Sequence, residues 1–149
     1  MSLITFDANA SILFGQNQSN LIITETLADI FEATAKRLPL QTAIVFESRT
    51  LSYGELDTLS SYAASRLIGD GVQAGEIVGL LLPRGIELLV MQLAIAKTGA
   101  AWLPFDADTP VDRIAICLSD ANAMGVISCD ALVGGLNSLQ QKNGLQKRY

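Results

Sequence analysis

The residues of this chain that could take part in chemistry lie at three places. A Pro-Arg-Gly turn at residues 83–85 follows an apolar run, Asp106 and Asp108 follow the next apolar run, and Lys97 lies between them. A turn that opens a helix can bind an anion through free backbone amides. Two close carboxylates can hold Mg²⁺, and a lysine with a lowered pKa can act as a base or nucleophile. Each place also has a purely structural interpretation.

The turn and the carboxylates are more simply explained as structural features. Residues 83–85 carry neither GxGxxG nor GxxxxGK[ST], the glycine patterns that cradle phosphates, so we favour a turn over an anion contact near Arg84. The sequence offers no further metal ligands beside Asp106 and Asp108, so we favour solvated residues that help to start the next helix. A small nucleotide-binding domain that uses the turn is kept as a third functional hypothesis.

The lysine and a glycine-rich segment are also interpreted structurally. Lys97 is expected in the last turn of a helix, where its charge complements the negative helix end before a stop at Gly99. Gly69, Gly71 and Gly75 precede a strand, which is the wrong side for phosphate binding, so they predict a loop. We therefore assign no catalytic, cofactor-binding or metal-binding residue from these patterns.

The composition excludes several classes of function. The 149 residues contain no histidine, which removes Ser-His and Cys-His nucleophile pairs and the common zinc motifs. A net charge of -5 with scattered Lys and Arg argues against nucleic-acid binding. The longest apolar run, within residues 86–96, is too short to span a bilayer, and no charged signal start is present, so a cytoplasmic protein is expected. Cys117 and Cys129 are interpreted as small buried residues in a reducing compartment.

Residues 75–108 form the centre of the predicted fold. They contain an apolar run, a sharp turn, an apolar helix, a glycine stop and a second apolar run. Uninterrupted apolar runs are typical of parallel strands covered on both faces, so they predict a βαβ unit. A third strand over residues 123–128 extends the unit to βαβαβ. The predicted fold class is α/β: a three-stranded parallel core with an N-terminal helix and a β-hairpin, as an incomplete half of a larger doubly wound domain.

Three further helices are predicted from their start signals. Thr26, Ser52 and Thr109 are expected to cap them, with Asp29 and Glu55 completing capping boxes in the first two. The expected inward-facing positions of the three helices are, in order, Leu27, Ile30, Phe31, Thr34 and Leu38; Leu56, Leu59, Ala63 and Leu67; and Val111, Ile114, Cys117, Leu118 and Ala121.

A hairpin and a short helix complete the prediction. Residues 42–47 and 50–52 are expected to pair through a tight turn at Ser48 and Arg49. Residues 132–139 could form one more short helix before a glycine-containing end. The predicted division of the chain is an N-terminal arm at residues 1–23, a subdomain at 24–131 and a C-terminal tail at 132–149.

Two stretches resemble a known family. Residues 51–56, LSYGEL, are similar to L(T/S)YxEL, the first core motif of the adenylation domains of non-ribosomal peptide synthetases. Residues 96–106, AKTGAAWLPFD, resemble the second core motif, LKAGxAYLPLD. The resemblance covers about residues 26–130. The LPFD ending and the PVDR that follows favour the amino-acid-activating branch of the AMP-forming adenylating superfamily, which also includes acyl-CoA synthetases and luciferases.

This resemblance implies ATP-dependent activation of a carboxylic acid, with Mg²⁺, to an acyl-adenylate, followed by transfer to a thiol such as carrier-protein phosphopantetheine. The family's phosphate loop, ATP-binding motifs, substrate pocket and catalytic lysine lie downstream of the residues present, and no residue here matches a catalytic position. We therefore expect a catalytically incomplete N-terminal fragment that binds no cofactor itself. Its expected partners are the remainder of an adenylation domain or a carrier protein. The alternative is a stand-alone interaction or complementation module, which the 50% hydrophobic content favours.

Overall fold

The computed structural model describes residues 25–143, in which five helices and five strands follow one another. The elements are α1 Leu27–Arg37, β1 Thr42–Phe46, β2 Arg49–Ser52, α2 Tyr53–Gly69, β3 Ile77–Leu81, α3 Ile86–Lys97, β4 Ala101–Phe105, α4 Val111–Asp120, β5 Gly125–Ser128 and α5 Asp130–Asn143. The predicted arm at residues 1–23 lies outside the described range, and the division of the chain into arm, subdomain and tail stays a prediction.

The main sheet has the predicted three parallel strands, in the order β4-β3-β5. Strand β3 is central: its Ile77 is level with Ala101 of β4, and its Val78 is level with Gly125 of β5. The α/β fold class and the βαβαβ core are therefore confirmed. Strands β1 and β2 pair separately as an antiparallel hairpin, also as predicted.

Helices cover both faces of the main sheet, so its strands lie between two apolar layers. Leu80 and Ile95 are fully buried in the layer beneath α2 and α3, and Ile114 of α4 is almost fully buried in the opposite layer. Burial on both faces explains why the central strand β3 is apolar without interruption. The first layer includes Ala64, Leu67, Val72, Val78, Leu82, Ala94 and Ala100, and the second includes Leu81, Ala115, Leu118 and Leu136.

Both predicted capping boxes are present. The Thr26 hydroxyl accepts a hydrogen bond from the Asp29 backbone amide at 3.2 Å, and the Asp29 carboxylate accepts one from the Thr26 amide at 2.8 Å. Ser52 and Glu55 make the same reciprocal pair at the start of α2. Hydrogen bonds from these cap residues lower the pKa of both carboxyls, the Thr26 hydroxyl being the main cause at Asp29 and the Ser52 amide at Glu55.

The prediction of the inward face of α1 was largely wrong. The buried residues are Ala28 and Ala35, with Phe31 half-buried, whereas Leu27 is 56% exposed and Ile30 is 53% exposed. The side of α1 that carries Ala28 and Ala35 faces the interior, and the larger aliphatic residues Leu27 and Ile30 face outward. The helical period of α1 was predicted correctly, but the wrong one of two adjacent helix faces was chosen as the buried one.

The faces of α2 and α4 are also shifted from the prediction. In α2, Ser60 and Ala64 are buried together with Leu56 and Leu67, whereas Leu59 is 45% exposed. In α4 the buried residues are Ile114, Ala115 and Leu118, and Cys117 is half-buried. The predicted cap at Thr109 was wrong, because Pro110 holds the N-cap position of α4 without a side-chain cap.

Two predicted boundaries need correction. The hairpin turns at Glu47 and Ser48, because Arg49 already pairs with Phe46, and Glu47 adopts a positive φ of 53°. The short helix expected over residues 132–139 is longer, Asp130–Asn143. A turn that lacks the usual Asn-Gly signal left the sequence with no clear indication of which two residues form it.

The predicted stop at Gly99 is confirmed. Gly99 has φ +79°, and its carbonyl accepts a hydrogen bond from the Gly75 amide at 2.9 Å. A Cβ atom at position 99 would lie 2.9 Å from the Ala74 Cβ. The loop before β3 and the turn after α3 therefore meet at a point where only glycine fits without strain.

Candidate functional site

The two polar segments that were weighed as possible sites, and interpreted as structural, lie at the same end of the main sheet. Residues 83–85 follow β3, and Asp106 and Asp108 follow β4. The chain leaves β3 for α3 on one face and leaves β4 for α4 on the other. Adjacent connections that run to opposite faces form the kind of crevice in which open α/β sheets bind ligands.

The start of α3 already has a carboxylate of its own. Glu87 lies in the first turn of α3, and Arg49 Nη1 of the hairpin donates a hydrogen bond to its Oε1 at 2.7 Å. This hydrogen bond is the main reason that the pKa of Glu87 is lowered. Arg84 is exposed. A negative group near a helix N-terminus is favourable, so Glu87 provides the interaction that an external anion would otherwise make.

The Arg49–Glu87 pair predicts a small pH effect on stability. Because the folded-state pKa of Glu87 is lowered, its contribution is complete above the unfolded-state pKa of about 4.3 and is lost as the pH falls through the folded value. The Glu87→Gln variant should be less stable than wild type at pH 7 and equally stable near pH 2. The side chains are 59% and 63% exposed, so the difference should stay below about 1 kcal/mol.

Urea unfolding of both proteins between pH 2 and pH 7 measures this difference. Glu47→Gln is the matched control, because Glu47 lies on the same hairpin and has no ion-pair partner among residues 25–143. A stability gap between wild type and Glu87→Gln that does not depend on pH would contradict the assignment.

The described residues do not form a metal site. Asp106 and Asp108 are both exposed, and within residues 25–143 no three His, Cys, Asp or Glu side chains are grouped so as to hold an ion. A lone exposed pair does not supply the several oxygen ligands that Mg²⁺ requires. A cavity of about 30 Å³ lies beneath β5, lined by Leu67, Val78 and Ile127 among others. None of its lining residues belongs to residues 83–85 or to the Asp106 and Asp108 pair, so it lies apart from the crevice.

The one strongly connected buried charge in the described part of the chain is Lys97. Its side chain is 5% exposed, and its ammonium donates hydrogen bonds to Asp57 Oδ1 at 2.5 Å and to Ser61 Oγ at 2.7 Å. Glu32 Oε1 lies 3.9 Å away, and the ring centre of Phe31 lies 5.5 Å away. Lys97 belongs to α3, Asp57 and Ser61 to α2, and Glu32 and Phe31 to α1. This lysine cluster, defined by these five residues, joins three helices.

The lysine cluster corrects the expectation for Lys97. The residue does lie in the last turn of α3, but its ammonium extends to the neighbouring helices instead of only complementing the helix end. Within residues 25–143 its partners are the Asp57 and Glu32 carboxylates, the Ser61 hydroxyl and the Phe31 ring, which together join three helices. The sequence does hold a signal: Leu56, Ser60, Ala64 and Leu67 fix the buried face of α2, and Asp57 and Ser61 lie one position further along the helix.

Two polar features near β5 complete the description of the site. Ser128 ends β5, and its hydroxyl oxygen is buried with no hydrogen-bond partner among residues 25–143. An unsatisfied buried hydroxyl costs about 1–3 kcal/mol. Cys117 and Cys129 are free thiols and are half-buried, so the expectation of full burial was wrong.

Comparison with known proteins identifies the family. Residues 31–148 match the family model described as AMP-binding enzyme. The chain belongs to this AMP-binding enzyme family. It is 53% identical over 120 residues to the delta-poly-L-ornithine synthetase of Acinetobacter baumannii (strain AB307-0294), a match that covers 80% of this chain and 9% of the relative. It is 42% identical over 106 residues to the dimodular nonribosomal peptide synthase of Bacillus subtilis (strain 168), covering 71% of this chain and 4% of that protein.

Solved structures of the family share the fold. The N-terminal subdomain of Klebsiella oxytoca NpsA in complex with 3-hydroxyanthranilyl-AMSN superimposes with a TM-score of 0.70 at 32% identity, over 75% of this chain and 28% of that one. The artificially fused adenylation-PCP di-domain NpsA-ThdA superimposes with a TM-score of 0.71 at 31% identity, over 75% and 21%. The chain is thus an N-terminal part of an adenylation domain and spans less than a third of the relatives it matches.

The family assignment gives the two sequence motifs their structural roles. The first, residues 51–56, starts α2 through the Ser52–Glu55 capping box. The second, residues 96–106, contains Lys97, the Gly99 stop and strand β4. None of the helices within residues 25–143 has both the length and the apolar character needed to cross a bilayer.

Proposed function

We propose that this chain forms the N-terminal scaffold of a ligase that uses ATP to activate a carboxylic acid, in the first instance an amino acid, as an acyl-adenylate for transfer to a carrier-bound thiol. The observation that carries the proposal is the family match over residues 31–148 together with the two core motifs in their structural positions. Both synthetase relatives and the NpsA structures come from the peptide-synthetase group.

In this proposal the described residues position the helices and strands of the domain and take no part in the reaction itself. The motif residues start and end helices, and Lys97 joins three helices. Asp106 and Asp108 do not fit a Mg²⁺ site, since both are exposed without a third ligand in the described range. We therefore assign ATP, Mg²⁺ and acid binding to the part of a family domain that this chain does not span.

The surface of the sheet supports a role as part of a larger domain. Within residues 25–143, strands β4 and β5 form the two edges of the main sheet, and an edge presents unpaired backbone groups that can accept another strand. Further chain packed beside β5 would pair with the backbone groups of that edge, so the remainder of an adenylation domain is the proposed partner.

A chimera tests the proposal. Residues 26–130 are placed in the adenylation unit of the Acinetobacter synthetase in place of the corresponding segment, and amino-acid-dependent ATP-pyrophosphate exchange is measured. A scaffold should leave the exchange and the acid preference of the host intact, and the isolated 149-residue protein should show no exchange. A folded chimera that has lost exchange, or exchange by the isolated protein with any amino acid, would contradict the proposal.

A second candidate function is a stand-alone module that binds a partner protein or a complementary ligase fragment. It is favoured by apolar side chains on the surface, among which Leu40 is 92% exposed, Val45 is 69% exposed and Ile116 is 60% exposed. Under this alternative the isolated chain should bind a complementary adenylation fragment with defined stoichiometry in size-exclusion chromatography. A monomer that binds neither such a fragment nor a hydrophobic dye would dismiss it.

A further inference from the structure

Helix α1 is attached to the rest of the protein by few apolar contacts. Its buried residues are two alanines, Ala28 and Ala35, while Leu27 and Ile30 are more than half exposed. A buried alanine removes far less apolar surface from water than a leucine or isoleucine does. The one large apolar side chain that α1 packs inward is Phe31, which is half-buried against the cluster of Ile44, Leu56 and Ile86, whereas α3 buries both Ile86 and Ile95.

Polar contacts to Lys97 supply part of the attachment. Lys97 Nζ lies over the Phe31 ring at 5.5 Å from its centre and 3.9 Å from Glu32 Oε1. The ammonium is already held on the other side by Asp57 and Ser61 of α2. The ammonium thus has hydrogen-bond partners on α2 that do not belong to α1, and α1 adds an aromatic face and a carboxylate.

A separate set of backbone hydrogen bonds holds the segment after α1. The Tyr53 amide donates to the Gln41 carbonyl and the Gly54 amide donates to the Pro39 carbonyl, both at 2.9 Å. These bonds tie residues 39–41 to the first turn of α2. Because residues 39–41 are held at α2 independently of α1, a hinge for α1 would lie at Leu38, its C-cap residue.

From these observations we propose that α1 opens and closes as a unit on an otherwise intact α/β core, and that the Phe31 and Glu32 contacts of Lys97 set the equilibrium of that opening. Opening exposes the ammonium of Lys97 and its partners on α2 to solvent. The inference concerns the folded chain itself and does not depend on the proposed ligase function.

Native-state hydrogen exchange on the full chain tests the proposal. Interior amides of α1 should exchange at least about 10-fold faster than amides of β3. The exchange rates of α1 should also depend less on denaturant concentration, because only part of the structure opens. Equal opening free energies and equal denaturant slopes for α1 and β3 would overturn the proposal, since α1 would then unfold only with the core.

Variants at the α1 contacts and a variant in the opposite apolar layer distinguish opening of α1 alone from unfolding of the whole chain. Phe31→Leu and Lys97→Met should each accelerate α1 exchange roughly 3- to 30-fold, the range expected for a partly buried cation–π contact. Leu118→Ala in the opposite layer should accelerate β3 exchange and leave α1 within about twofold, because α1 opens with that layer intact. Acceleration of α1 by Leu118→Ala to the same extent as β3 would overturn the proposal.

The control for charge removal is Lys36→Met. Lys36 is 76% exposed and lies 3.8 Å from the same Glu32 carboxylate, so it resembles Lys97 in charge and partner but not in burial. It should leave α1 exchange unchanged. If Phe31→Leu and Lys97→Met accelerate α1 exchange no more than Lys36→Met does, the Lys97 contacts do not set the opening. Phe31→Leu keeps the Lys97–Asp57 pair and so provides the test if Lys97→Met fails to fold.

Discussion

Replacing Lys97 with methionine is expected to lower the free energy of unfolding by about 2–4 kcal/mol. The variant keeps an unbranched side chain, one atom shorter, but removes the ammonium that donates to Asp57 and Ser61. Removing one member of a buried ion pair leaves the other desolvated without a partner. Asp57 is 32% exposed and recovers some hydration, so the loss should fall at or below the usual value for a fully buried pair. Urea unfolding followed by far-UV circular dichroism measures it.

A double-mutant cycle identifies the cause of the loss. Asp57→Asn alone and the double variant Lys97→Met/Asp57→Asn complete the cycle, and the double variant should lose less than the sum of the two single variants. Lys36→Met is the control for loss of a lysine charge and should change stability by less than about 0.5 kcal/mol, because its pair with Glu32 is exposed. Additive losses at positions 57 and 97 would show that the pair is not the source of the effect.

Gly99→Ala is expected to destabilise the protein by about 2–4 kcal/mol. Two costs combine at this position. The backbone has φ +79°, which L-residues with a side chain rarely adopt, and the new Cβ would lie 2.9 Å from the Ala74 Cβ and 3.3 Å from its Cα. Backbone atoms cannot move aside as a flexible side-chain end can, so the turn after α3 and the loop before β3 must both shift.

Gly69→Ala is the matched control for this substitution. Gly69 ends α2 in a helical conformation, and an added Cβ would have no neighbour within 4 Å. Alanine is the better helix former, so this variant should be neutral or more stable by up to about 1 kcal/mol. Thermal and urea unfolding of the two variants provide the comparison. Equal effects at positions 69 and 99 would contradict the close approach of Gly99 and Ala74.

The architecture could be predicted from the sequence because continuous apolar runs and capping residues are local signals. The parallel core, the hairpin and the capping boxes at Thr26 and Ser52 follow from such signals and are confirmed. The helix faces were harder to predict. In α1 the choice of the Leu27 and Ile30 face over that of Ala28 and Ala35 depends on how closely its neighbours approach, which no local pattern encodes.

The site residues were harder to predict for a related reason. The Lys97 contacts join residues that are 36 and 40 positions apart, so only the folded arrangement of α2 and α3 brings them together. The position of Glu87 beside Arg49 depends on the hairpin lying against the start of α3, and it involves residues 38 positions apart. The family motifs mark where these elements begin and end, but they do not specify which side chains meet.

Because β3 lies between β4 and β5 but precedes both in the chain, its two neighbours are added one after the other during synthesis. The central strand β3 is made first, and its partner on one side, β4, follows after a single helix. Its partner on the other side, β5, ends only at Ser128. At about 5–20 residues per second, the ribosome needs roughly 1 to 5 s to make the residues between β4 and the end of β5. During that interval one side of β3 is unpaired, so a strand from another chain would compete with β5 for it.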